Sequence, residues 1–173
     1  MRRIVPALLA GALATGLVAG PVLAKQPDPS GSTIVDIAVS LAGDLANPND
    51  GEFETLVAAV LEADAAGLLS ARGKLTVFAP TDAAFAEIGV TPANVGTLDD
   101  AFLLDVLLFH VARGERWSGD VVASDQIRML NGDVAEVNIP YIANAQLELS
   151  MLDIAASNGV IHVVNDVLLP PAD

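Results

Sequence analysis

The sequence predicts an α+β fold in which several α-helices cover one side or end of a largely antiparallel sheet. Two observations carry that expectation. Apolar residues recur at helical spacing from Ile34 to His110, and after Gly119-Asp120 the pattern changes to short strands punctuated by Asn-Gly pairs. Helices first and strands second, within one chain, imply helices packed on an antiparallel sheet rather than alternating βαβ units.

Residues 1–24 read as an export signal. Arg2 and Arg3 open it, Ile4 to Ala19 is almost unbroken apolar sequence, and Val22 and Ala24 supply the small side chains a signal peptidase needs. Cleavage is expected after Ala24. Pro21 and the polar Lys25-Gln26-Pro27-Asp28 argue against a retained anchor, and a chain without cysteine cannot carry a lipid on a new N-terminal Cys. Residues 25–32, rich in Pro, Asp, Gly and Ser, form a flexible lead. Residues 33–171 then make a single domain, large enough to bury its own core.

Within that domain, Thr33 caps a first helix carrying Ile34, Ile37, Ala38 and Leu41, ended by Gly43 and the Asn47–Gly51 cluster. Phe53, Leu56, Val57, Val60 and Leu61 mark an amphipathic second helix, with Glu52, Glu54 and Glu62 off the stripe and Gly67 closing it. Leu75 to Phe78 reads as a strand. Thr81 or Asp82 caps a brief helix with Ala84, Phe85 and Ile88, ended by Gly89. Thr97 and Asp100 resemble a capping box before the most apolar helix, whose stripe is Phe102, Leu103, Val106, Leu107 and His110. Phe109 to Val111 is a helix-to-strand transition, followed by a loop containing Trp117.

The strongest hairpin signal is Ile127–Leu130, Asn131-Gly132 and Val134–Ile139, since Asn-Gly adopts the positive φ angles of a tight primed turn. Leu147, Leu149 and Met151 alternate with polar residues and predict a half-solvated strand. Asn158-Gly159 turns the chain into Val160–Val164.

Composition narrows the function classes. The chain has 173 residues with 22 acidic against 8 basic, a formal net charge of −14, and loss of the leader removes two of the cations. Such a surface repels phosphate backbones and anionic headgroups, so nucleic acid is excluded as a partner. Zero cysteines exclude disulfides, thiolate metal sites and a cysteine nucleophile. Phosphate-loop, dinucleotide, zinc-protease and nucleophile-elbow motifs are missing, and Ser157, His162 and Asp166 are only a scattered hydrolase set. No enzyme activity, cofactor or metal is expected.

Seven residues stand out as structural or interaction candidates: Asp82, Phe85, Phe109, His110, Trp117, Asn158 and His162. Asp82 suits a helix start, where its carboxylate accepts unpaired amides. Asn158 suits a turn holding the preceding segment to the last strand. His110 and His162, each among apolar neighbours, read as packed histidines with satisfied nitrogens. Trp117 is either core or the aromatic anchor of a recognition loop.

Thr76 to Phe85 (TVFAPTDAAF) and Asn158 to Pro170 (NGVIHVVNDVLLP) resemble the two conserved segments of the fasciclin (FAS1) domain, with Phe109-His110 where the family commonly has Tyr-His. Thr33 to Ala38 and Glu62 to Leu69 also match, so the resemblance covers essentially all of residues 33–171. It implies a wedge of mainly antiparallel strands packed with several helices, in which the two segments form adjoining strands. It also implies that Asp82, His110 and Asn158 support one another, and that the protein is secreted or periplasmic. Two departures are Phe109, which lacks the tyrosine hydroxyl, and Asn165, where Asp is common.

The function the resemblance implies is non-enzymatic adhesion or matrix interaction, with a cell-surface or matrix protein or polysaccharide as partner. Bridging two surfaces would require a second contact site, self-association or a larger complex. The alternative is a binding module for a small hydrophobic molecule or polysaccharide. An apolar pocket lined by Phe85, Phe109 and Trp117 would favour that alternative, and a broad exposed apolar patch would favour protein contact.

Overall fold

The computed structural model describes residues 31–43, 52–70 and 73–171. The export signal, most of the lead and the Asn47–Gly51 cluster lie outside the described residues.

Among the described residues, six α-helices, a short 3-10 helix (Val95–Thr97) and eight strands form an α+β domain. Helix α1 (Ile34–Leu41) starts at a capping box in which Thr33 Oγ1 accepts from the Asp36 N–H and the Asp36 carboxylate accepts from the Thr33 N–H. Helix α2 (Glu54–Glu62) buries Leu56, Val57 and Val60, but Leu61 is exposed and Glu54 is buried, contrary to the stripe read from the sequence. Asp64, at φ 49°, breaks the helix, and Gly67 sits inside the next one, α3 (Ala66–Leu69). Glycine is the usual residue at a left-handed stop, but Asp also tolerates that conformation.

Strand β1 (Leu75–Pro80) leads to α4 (Asp82–Glu87), capped by Thr81, whose hydroxyl accepts from the Ala84 N–H. Helix α5 (Asp100–Phe109) is capped by Asp99 accepting from the Phe102 N–H, not by Thr97. Its expected stripe residue Phe102 is 53% exposed, whereas Leu103, Val106 and Leu107 are buried. Strand β2 (Val111–Arg113) follows at once, and α6 (Ser118–Val122) occupies part of the expected Trp117 loop.

The remaining strands are β3 (Gln126–Arg128), β4 (Val134–Asn138), β5 (Tyr141–Ile142), β6 (Ala145–Gln146), β7 (Ile154–Ala156) and β8 (Gly159–Val164). The β3–β4 hairpin is present, with Arg128 opposite Val134. Only Gly132 of its Asn-Gly pair has positive φ, so the connection is not the two-residue primed turn expected. The strand expected through Leu149 is absent: Leu147 makes an isolated bridge to Val164, and Met151 N–H turns back to the Glu148 carbonyl.

Two four-stranded sheets result, in orders β2-β1-β8-β7 and β3-β4-β5-β6. β1 and β8 pair in parallel at the centre of the first, from Leu75 opposite Gly159 to Pro80 opposite Val164; the other pairings are antiparallel. Every residue of β1 and β8 is buried. One face of this sheet, with Val77, Ala79, Ile161 and Val163, packs under the helices. The other, with Phe78 and Val164, joins Ile127, Val137 and Ile142 of the second sheet. Burial on both faces explains why these strands read as continuous apolar runs rather than alternating ones.

Gly159 is required where these strands begin. A Cβ there would stand 2.1 Å from the Leu75 carbonyl oxygen and 2.8 Å from Ile34 Cδ1. The segments Thr76–Phe85 and Asn158–Pro170 run side by side from there, Thr76 opposite Val160 to Pro80 opposite Val164.

Candidate functional site

The polar candidates serve as ties between distant parts of the chain. Asp82 opens α4 but caps a different helix: its carboxylate oxygens accept from the amides of Glu54 (3.0 Å) and Thr55 (2.7 Å) at the start of α2. Phe53, the residue before α2, has no side chain able to cap, so that helix borrows its cap from the first residue of α4. Asn158 accepts from the Ile34 N–H at 2.9 Å and donates to the Leu69 carbonyl at 2.7 Å. It thus fixes both α1 and α3 to the entry of β8.

His110 is the C-cap of α5 and is 2% exposed. Its Nδ1–H donates to the Val106 carbonyl (2.7 Å), and its Nε2 accepts from the Leu168 N–H (2.9 Å). Those partners define a neutral tautomer, and burial lowers its pKa from 6.5 to about 4 against the smaller opposing effect of the Val106 bond. His110 therefore ties α5 to the C-terminal segment. Asp82, His110 and Asn158 share no direct hydrogen bond; they hold three different junctions of the same core.

His162 packs against Phe78, with ring centroids 5.7 Å apart. Its Nε2–H donates to the Arg116 carbonyl (2.8 Å), and Nδ1 accepts from the Asp153 N–H (3.2 Å). Desolvation lowers its pKa, opposed by the Arg116 bond and the Asp153 charge. Ser118 donates its hydroxyl to Asp153, whose other carboxylate oxygen lies 3.9 Å from His162 Nδ1. Serine, aspartate and histidine are adjacent here, but both ring nitrogens are already committed and the serine proton is directed at the carboxylate. Such an arrangement cannot deprotonate the hydroxyl as a catalytic triad does. It pins α6 to the loop before β7, and Asp153 carries no local sequence signal because its role depends on a left-handed turn, at φ 59°.

The aromatic candidates are interior. Phe85 packs in the helix-side core and Phe109 in the core between the sheets. Trp117 is 8% exposed and its indole nitrogen is buried with no hydrogen-bond partner among the described residues, so the ring is not a surface anchor. Phe85 and Phe109 belong to different core clusters, so these two do not line one pocket. Asn165 uses its amide as a donor to Glu148 at 3.3 Å, a contact unavailable to Asp.

Two apolar features lie elsewhere. One is a cavity beneath α1 and α2. The other is a small pit whose lining includes Val122, Ile139 and Leu149, which are 59%, 45% and 66% exposed. Among the described residues, no group of three or more His, Cys, Asp or Glu side chains is placed to hold a metal ion, and no helix is long and apolar enough to cross a membrane.

The described residues form a mixed α+β domain in which Asp82, His110, Asn158 and His162 tie distant segments of the chain together. The chain belongs to the fasciclin domain family, whose model matches residues 51–170. Protein sll1483 of Synechocystis sp. is 34% identical over 159 residues, spanning 87% of this chain and 80% of that protein. Transforming growth factor-beta-induced protein ig-h3 of Sus scrofa is 35% identical over 127 residues, spanning 72% of this chain but 18% of that protein. The solved FAS1 domain pair of the insect cell adhesion molecule fasciclin I shares the fold, with TM-score 0.56 at 16% identity, over 80% of this chain and 51% of that one.

Proposed function

We propose that this chain is an exported, non-enzymatic adhesion or matrix-interaction domain. Its export signal is residues 1–24, and it makes its contact outside the cytoplasm. The observation that carries the reading is the apolar pit: Val122 from α6, Ile139 beyond β4 and Leu149 beyond β6 converge on one surface from three separate elements. Exposed aliphatic side chains are ordinary when scattered, but a cluster around a depression favours contact with a protein. Membership of the fasciclin family supports the same function, and the chain's formal net charge of −14 favours solubility.

The rigid support beneath the pit fits this role. His162 lines the pit and, with Asp153, fixes the adjacent loop. Binding therefore does not require the surface to be ordered first. Val122→Ser and Leu149→Ser test the proposal, since both residues are exposed and their replacement should leave the melting temperature unchanged. Retention of binding to extracellular matrix should fall at least tenfold in the double variant. Unaltered retention would remove this surface from the function.

A further inference from the structure

We propose that the cavity beneath α1 and α2 captures the end of an uncharged aliphatic chain. This inference is independent of the adhesion reading, and the cavity shares no lining residue with the Val122 pit. Six of the eight α1 residues are Ile, Val, Ala or Leu, yet only Ile34 is fully buried. An ordinary surface helix turns one apolar stripe inward and covers it. Here the helix instead roofs a hollow of about 50 Å³ that reaches the sheet at Val77, Val111 and Ile161. Val39, Leu41 and Leu61, which are 42%, 37% and 60% exposed, stand at its edge.

The lining selects the occupant by what it lacks. Among the described residues it contains no Lys, Arg, Asp or Glu, and its only polar side chain is that of His110. Both His110 nitrogens are engaged, one by Val106 and the other by Leu168, so the ring offers a ligand neither donor nor acceptor. A carboxylate buried there would lose its hydration with no cation to replace it, and a sugar would lose its hydrogen bonds. Hydrocarbon incurs neither loss. The enclosed space is well below the roughly 150 Å³ of an apolar cavity that holds benzene. It therefore suits a narrow chain end rather than a ring, with the rest of the chain lying along Val39, Leu41 and Leu61.

The test uses the purified protein as isolated from producing cells, titrated with 1-decanol and separately with decanoate at pH 8, with binding followed by calorimetry and by methyl NMR shifts. Saturable 1-decanol binding is expected, with decanoate at least tenfold weaker. Ala38→Phe, which fills the hollow, should abolish binding. Leu61→Ser, at an exposed edge position, should weaken it several-fold with the melting temperature unchanged, and this keeps the test decisive if Ala38→Phe disturbs folding. Absence of saturable 1-decanol binding would overturn the proposal, as would equal affinity for decanoate or indifference to Leu61→Ser. Binding to neutral phosphatidylcholine vesicles without saturable 1-decanol binding would likewise overturn it, by showing attachment to a lipid surface instead of capture of a chain.

Discussion

Lowering the pH should destabilise the domain through His110, and the size of the effect follows from its environment. The unfolded imidazole takes up a proton near its ordinary pKa of 6.5, whereas the buried ring does so only near 4. Between those values the unfolded chain binds more protons, so stability present above pH 6.5 is lost as the pH falls towards 4. At about 1.4 kcal/mol per tenfold change in proton affinity, the full loss is about 3 kcal/mol, of which about 2 kcal/mol has gone by pH 5. The geometry gives the same sign. Protonated Nε2 would point a donor at the Leu168 N–H, which now depends on that nitrogen as its acceptor. His162, Asp36 and Glu148 also have lowered pKa values and lose stability in the same direction, so the His110 share must be isolated. Urea unfolding of the wild type and His110→Gln at pH 7 and pH 5 does this, because the fixed cost of the substitution cancels in the difference. The wild type should lose about 2 kcal/mol more than the variant between the two pH values. Equal losses would refute a neutral His110 as an acid-sensitive tie.

Asp82→Ala removes the acceptor for the Glu54 and Thr55 amides and should cost about 2 kcal/mol in urea unfolding; an unchanged midpoint would mean that α2 does not need this cap. Gly159→Ala drives a methyl group into the Leu75 carbonyl and should cost about 3 kcal/mol or prevent folding. A melting temperature within a few degrees of wild type would contradict the close β1–β8 approach. Asn158→Ala should cost about 2 kcal/mol by freeing the Ile34 N–H and the Leu69 carbonyl. It should also raise amide exchange in α1 before β4, and uniform exchange would separate Asn158 from that helix.

The parts of the fold visible in the sequence are those set by local chemistry. Thr33 and Thr81 announce their caps, and the change from helical to two-residue periodicity locates the switch to sheet. What stayed hidden depends on contacts between distant segments. Asp82 has the right residue type for a cap, but the helix it caps begins 28 residues earlier. The parallel β1–β8 pair reads only as two apolar runs, because strand direction leaves no local mark. Leu149 alternates like a strand residue, yet the chain turns around it and leaves it in solvent.

The candidate surface was the least legible part. Phe85, Phe109 and Trp117 drew notice as large aromatics, and the fold uses all three as interior packing. The exposed cluster is made of aliphatic residues from α6, the segment after β4 and the segment after β6, with no shared motif to flag them. A sign of the second apolar feature was present in α1, whose Val35 and Val39 extend the apolar surface beyond one stripe. Periodicity located the helix but passed over that surplus.

Equilibrium binding of the purified protein to intact producer cells and their extracellular matrix, across a salt series, tests adhesion most directly. The predicted result is saturable binding that persists at high salt, because an apolar contact is not screened as a purely electrostatic attraction between exposed charges is. Binding that vanishes with added salt, or that never saturates, would contradict an adhesive surface on this domain.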